Sequence, residues 1–239
     1  MLVIEPCNRL VRTLKARIWL TIATMFAALC WSAPASADLV YTLDQSAAFS
    51  GSNFGTVRLH QVNSTTVRVT VTLASGEYFA LTGAGYALTW DIAGDPNVTI
   101  TVDPATVPGA NYFTPQAYQA GEHYSASPFG SFNYAVLLTC PAPQNCNGGK
   151  TTNPQGPLVL DVSFASGLLI TNFVQNTSGF VFAVDIYKPN CGSGACTGVV
   201  GTNGTSVRTV PEPATLLIFA AAAGGLGAWR RRHRLAKPA

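Results

Sequence analysis

Strict alternation of apolar and polar side chains, recurring through the middle of the chain, limits what this sequence can fold into more than any other feature. Val67, Val69, Val71 and Leu73 interleave with Arg68, Thr70 and Thr72. Val98, Ile100 and Val102 interleave with Thr99 and Thr101, and Leu158, Leu160, Val162 and Phe164 with Val159, Asp161 and Ser163. Phe180, Phe182, Val184 and Ile186 make a fourth row. A period of two sends successive side chains to opposite faces, so each row reads as a strand with one face on a core. Residues 57–62 and 65–73 are expected to form a hairpin across Asn63-Ser64. Residues 86–92 and 131–139 are further strands. Gly, Pro, Asn and Asp punctuate the rows, and no long helical period intervenes. The expected fold is all-β, an antiparallel sandwich or jelly-roll-like domain over residues 38–209.

Residues 103–130 break the pattern. Thr114 as N-cap, Pro115 at the first helical position and Gly121 as stop predict one short helix there. The same stretch holds Tyr112, Phe113, Tyr118, Tyr124 and Phe129. Long connections in compact domains often carry function, and these rings can form a stacking surface for sugars. The plainer reading is that they cap one end of the sandwich, as large rings usually serve packing.

Charge excludes one class of partner. Charged residues make up only 10% of the chain, against about 25% in ordinary domains. Nine of the fourteen basic residues lie near the two ends, whereas residues 38–209 hold nine acidic and five basic side chains. A nucleic-acid binder needs a basic patch to neutralise phosphates, and the acidic middle offers none.

Both ends read as addresses. Arg9, Arg12, Lys15 and Arg17 precede an apolar run over residues 18–31, then Ala35-Ser36-Ala37. Basic, apolar and small-residue regions in that order are a secretory signal peptide, residues 1–37, cut by a signal peptidase before Asp38. An uncleaved anchor is the alternative, but the apolar run is short of the ~20 residues a span needs. At the other end stands Val210-Pro211-Glu212-Pro213, then an apolar stretch over residues 214–229, then Arg230, Arg231, Arg232 and Arg234. As a helix that stretch rises about 24 Å, a short transmembrane segment. Trp229 suits the interface, and the arginine cluster stays on the cytoplasmic side. Residues 38–209 then lie across the membrane, in agreement with the signal peptide.

This tail, residues 210–234, resembles the PEP-CTERM sorting signal of Gram-negative bacteria. Pro211, Glu212 and Pro213, the short apolar helix and the terminal arginines carry the resemblance. It implies processing near the triplet by an exosortase, a membrane-embedded cysteine transpeptidase. It also implies an inner-membrane precursor, then a cell-surface or matrix protein linked to exopolysaccharide and biofilm. An ordinary tail anchor explains the helix and arginines but not the triplet beside them. The layout from Ser131 onward also resembles the middle of other chains with such a tail, and brings no activity with it.

The exported part carries Cys140, Cys146, Cys191 and Cys196. An even count in an oxidising compartment predicts two local disulfides, Cys140 with Cys146 and Cys191 with Cys196. A four-cysteine zinc site is the rival, with irregular spacing against it, and four cysteines formally allow three pairings. Catalytic patterns are hard to find. His60 falls in phase with Arg58 on a solvent face, and His123 sits beside Glu122 in the long connection. Asp91, Asp95 and Asp103 offer calcium ligands at one end of the sandwich but do not match an EF-hand loop, and turn-forming and solvating roles are expected of them. Gly192-Ser193-Gly194 lacks the spacing of a nucleophile elbow. No cofactor motif is present. The sequence therefore predicts a non-catalytic surface or matrix protein, with a carbohydrate-binding module as the alternative and an enzyme without a legible constellation as the third.

Overall fold

The computed structural model describes residues 38–82, 86–119, 121–142, 146, 148–191 and 196–204, and residues 207–210 by backbone alone. The signal-peptide region, the triplet at Pro211, Glu212 and Pro213, the apolar stretch and the arginine cluster lie outside the described residues.

Among the described residues sixteen strands run in chain order. They are β1 (Asp38–Thr42), β2 (Gln45–Ser46), β3 (Gly55–Asn63), β4 (Thr66–Leu73), β5 (Tyr78–Phe79), β6 (Tyr86–Ile92), β7 (Thr99–Val102) and β8 (Phe113–Gln116), followed by β9 (Tyr124–Ser125), β10 (Ser131–Phe132), β11 (Tyr134–Leu138), β12 (Leu158–Ser163), β13 (Phe173–Val174), β14 (Phe182–Lys188), β15 (Cys196–Thr202) and β16 (Val207–Val210). One sheet has six strands in the order β16-β1-β3-β4-β12-β7. An eight-stranded sheet runs β2-β15-β14-β6-β11-β8, with β13 against β6 and β5 against β14, and β9 and β10 pair as a separate two-stranded sheet. The pairs are antiparallel throughout. Val57, Leu59, Val69, Val71, Leu160 and Val162 of the first sheet enter one buried cluster with Leu88, Trp90, Val136, Phe182 and Val184 of the second. Among the described residues no helix is long and apolar enough to cross a membrane.

The two sheets bury themselves differently. In β4, Val67, Val69, Val71 and Leu73 are buried while Thr66, Arg68, Thr70 and Thr72 are not. That is the alternation of a sheet with one face on the core and one toward water. In β6 the run Ala87, Leu88, Thr89 and Trp90 is buried without a break, and in β14 so is the run from Phe182 to Ile186. Those strands are covered on both faces. A second, smaller cluster supplies the outer cover: Ala126, Phe129 and Phe132 pack with Ala183, Phe180 and Val199.

Three local expectations need correction. The predicted helix over residues 114–121 does not form; residues 113–116 are β8, whose Thr114 and Pro115 pair with Leu137 and Val136 of β11. β8 is an edge strand, where a proline lacking an N–H is tolerated, and the pairing outweighs the weak local helix signal. The first hairpin turns one residue later than expected, over Ser64-Thr65, with Asn63 opposite Thr66. Asn63 Oδ1 accepts from the Thr65 amide at 2.9 Å, a side-chain turn that fixes the register. The strand expected over residues 131–139 is split at Asn133, whose amide donates to the Asp91 side chain of β6, Oδ1 at 2.6 Å, rather than to a backbone carbonyl.

Candidate functional site

β16, the last described strand, lies at one edge of the six-stranded sheet. There β1 pairs Asp38 with Val210, Leu39 with Thr209, Val40 with Arg208 and Tyr41 with Val207. The first residue after the expected signal cleavage and the last residue before Pro211 are therefore register partners. On its other side β1 pairs with β3, Leu39 to Leu59 through Thr42 to Thr56. Asp38 is only 4% exposed. Arg58 Nε donates to its Oδ2 at 2.7 Å, Arg58 Nη2 joins the same oxygen, and His60 Nδ1 lies 2.6 Å from Oδ1. The sequence placed Arg58 and His60 together on the outer face. It missed their shared partner, because Asp38 is brought in by strand pairing across about twenty residues.

The aromatic connection does not present its rings as a platform. Phe113, Tyr124 and Phe129 are buried, and Tyr112 and Tyr118 pack half-buried against the core. Tyr124 meets Tyr86 edge-on at 5.3 Å and donates its hydroxyl to the Ala117 carbonyl at 3.1 Å. Phe129 meets Phe180 edge-on at 4.7 Å. A Cβ on Gly201 of β15 would sit 3.1 Å from the Phe129 ring, so glycine there lets the cover come down onto the sheet. Gly130, at φ +89°, turns the chain between β9 and β10, where a side chain would run into Ser178. Asn176 locks the turn: its Nδ2 donates to the Phe129 carbonyl at 2.8 Å and its Oδ1 accepts from the Ser178 and Phe180 amides at 3.0 Å. The cavity left between cover and sheet, lined by Tyr86, Ala126, Val184 and Asp185, measures about 10 Å³, room for about one water and no sugar. Two larger clefts, of 290 and 360 Å³, are lined by Phe49, Ser50, Lys188 and Asn190 and by Ile92, Pro96, Phe164 and Leu168. None of the five aromatic residues lines either one.

Asp185 stands on the covered face of β14 and is 2% exposed. Burial pushes its carboxyl up to about 6, against which the Thr82 hydroxyl and amide, at 2.7 and 2.8 Å, stabilise the charge. Burial likewise raises Glu77, which is partly offset by Lys188 Nζ at 3.2 Å. Lys188 also lies over the Phe54 ring, 5.4 Å from its centre. The three aspartates weighed for calcium separate into two places. Asp103 joins Asp161 on Arg68 of the six-stranded sheet, with Nη2 to Asp103 Oδ2 at 2.7 Å. Asp91 and Asp95 instead share Asn133, whose Nδ2 donates to Asp95 at 2.6 Å and whose Oδ1 meets His123 Nδ1 at 2.8 Å. Among the described residues no three His, Cys, Asp or Glu side chains gather as a metal site.

Cys140 is bonded to Cys146 and Cys191 to Cys196, with Cα atoms 5.8 and 6.0 Å apart. Both pairs are local, as the spacing predicted, and no thiolate is left among them for zinc. Each closes a short loop, so its contribution is mainly to order that loop.

A family model for the PEP-CTERM protein-sorting motif matches residues 209–232. No curated protein and no solved structure matches the chain. The chain thus carries a PEP-CTERM sorting motif at its end, and the motif's first two residues, Thr209 and Val210, are the last two of β16.

Proposed function

We propose, with the sorting motif at residues 209–232 as premise, that this chain is an exported surface or extracellular-matrix protein handed to an exosortase by its tail. In this reading residues 1–37 are a signal peptide removed by a signal peptidase, and residues 38–209 are the exported domain. The two sheets sharing one core support a sandwich for that domain. The apolar stretch after Pro213 crosses the inner membrane, and the arginine cluster holds its cytoplasmic end. Pro211 and Pro213 keep the triplet extended and delay the helix, while Glu212 keeps it out of hydrocarbon. The triplet then stands at the outer membrane face, where the enzyme breaks a peptide bond near it.

The domain itself has no catalytic role in this reading; it is cargo linked to exopolysaccharide or biofilm. The observation that carries the reading is the motif match over residues 209–232, which spans the triplet, the apolar stretch and Arg230 to Arg232. The carbohydrate-binding alternative has less support, since of its proposed rings only Tyr112 and Tyr118 reach the surface even in part. Replacing Pro211, Glu212 and Pro213 with Ala, in cells that contain an exosortase, should leave export intact and make the full-length form accumulate in the inner membrane. Processing of the triple variant at the normal rate would show that the tail is only an anchor.

A further inference from the structure

Thr209 and Val210 serve two structures at once. They open the sorting motif, and they are paired in β16 with Leu39 and Asp38 of β1. Pro211 follows Val210 directly, so no spacer separates the sheet from the triplet. We propose that β1 withholds the upstream end of the sorting signal from the processing enzyme, and that processing requires β16 to leave β1. The proposal rests on the sorting reading above and adds a state of the domain that must open first.

The reach of the chain supplies the reason. An extended residue spans roughly 3.3 Å, so three residues beyond a paired β16 have a reach of at most about 10 Å past the end of that strand. An enzyme that grips an extended peptide does so through main-chain hydrogen bonds along several residues. Upstream of the triplet those residues are β16, and one edge of β16 is already committed to β1. Releasing β16 adds four residues, about 13 Å of free chain, without disturbing the rest of the sheet.

The two sides of β1 differ in the way such a device needs. Among the described residues β16 is the outermost strand and has β1 as its one neighbour in the sheet. Short edge strands of this kind open at the low end of a protein's stability range. Pro211 has no N–H with which to extend the pairing. β1, by contrast, is held to β3 by its own register and by Asp38, whose carboxylate binds Arg58 and His60. Opening at the β16 side therefore leaves β1 in place, and the strand can return once the enzyme lets go.

A cross-strand disulfide tests this in the full chain. Val40 and Arg208 are direct partners, and opposed Cα atoms in antiparallel pairs lie about 4.5–5.5 Å apart, within the range a disulfide spans. The double variant Val40→Cys with Arg208→Cys, its new bridge checked by non-reducing peptide mapping, should accumulate as unprocessed precursor in exosortase-containing cells. Each single variant should be processed like the parent. A six-residue Gly-Ser spacer inserted between Val210 and Pro211 of the locked chain should restore processing, which a merely misfolded domain would not allow. The proposal is overturned if the locked chain is processed as fast as the parent, or if the spacer fails to rescue it. The triple-Ala variant, run alongside, separates the outcomes: if it too is processed normally, the sorting reading has failed rather than the gate.

Discussion

The six-stranded sheet pairs its carboxylates with cations, on a face open to water at Arg68, whereas the eight-stranded sheet buries Asp185 beneath a second layer. On the first, Arg68 bridges Asp161 and Asp103 at 2.7 to 2.9 Å on a face open to water, and Arg58 and His60 hold Asp38. On the second, Asp185 and Glu77 are nearly inaccessible and their carboxyls are pushed up by burial. The difference comes from the stretch of chain between β8 and β11. Phe129 and Phe132 lay a second apolar layer over Ala183 and Val199, so β14 loses its wet face. Phe129 and Phe132 in that stretch are thus accounted for by a sheet covered on both sides.

Removing the cover should have the largest effect. Phe132→Ala deletes a fully buried ring and should cost about 3–5 kcal/mol. Thr70→Ala, on the water-facing side of β4, should change stability by less than about 0.5 kcal/mol. Urea unfolding of the two variants measures both, and equal losses would erase the distinction between the sheets.

Acid should separate the sheets next. A carboxyl raised in the folded state keeps its proton where the unfolded chain has lost it. The resulting stability is present at low pH and is lost as pH rises from the ordinary carboxylate range through about 6 for Asp185. The domain should therefore melt at a higher temperature at pH 5 than at pH 7, with Asp185 contributing on the order of 1 kcal/mol of that difference. Glu77 and Asp91, both raised chiefly by burial, act in the same direction. Asp185→Asn should flatten the dependence between pH 4 and 6. An unchanged profile in that variant would mean the cover does not desolvate β14.

The smallest effect belongs to the exposed charges. Arg68 is 38% exposed at its side chain, so solvent screens its two partners. Arg68→Ala should cost about 1 kcal/mol or less, shrinking further in high salt. A loss several times larger would place this network among the buried ones.

This contrast also explains what could be read from the sequence. β3, β4 and β12 belong to the sheet with one wet face, and their alternation named them directly. β6 and β11 are buried on both faces, so Ala87-Leu88-Thr89-Trp90 and Tyr134-Ala135-Val136 show no period, and only composition and turn residues marked them. Asp185 lies between Val184 and Ile186 and reads as a solvent residue; nothing local reveals the cover formed by residues some fifty positions earlier. Thr114, Pro115 and Gly121 have a helix's punctuation, yet an edge position accommodates the proline and β11 supplies a partner. β16 is four residues long, and its role depends on a partner at the far end of the domain. The disulfides and the sorting tail were legible because their signals are local.

The direct measurement of the central claim is the C-terminus of the exported protein itself. Intact mass and C-terminal peptide mapping should be compared between cells with and without exosortase activity. With the enzyme, the chain should end near Pro211, Glu212 and Pro213 and retain β16. Without it, the same protein should be recovered with its apolar stretch and arginines still attached. A chain ending at Ala239 in both, or one trimmed identically in both, would contradict the account.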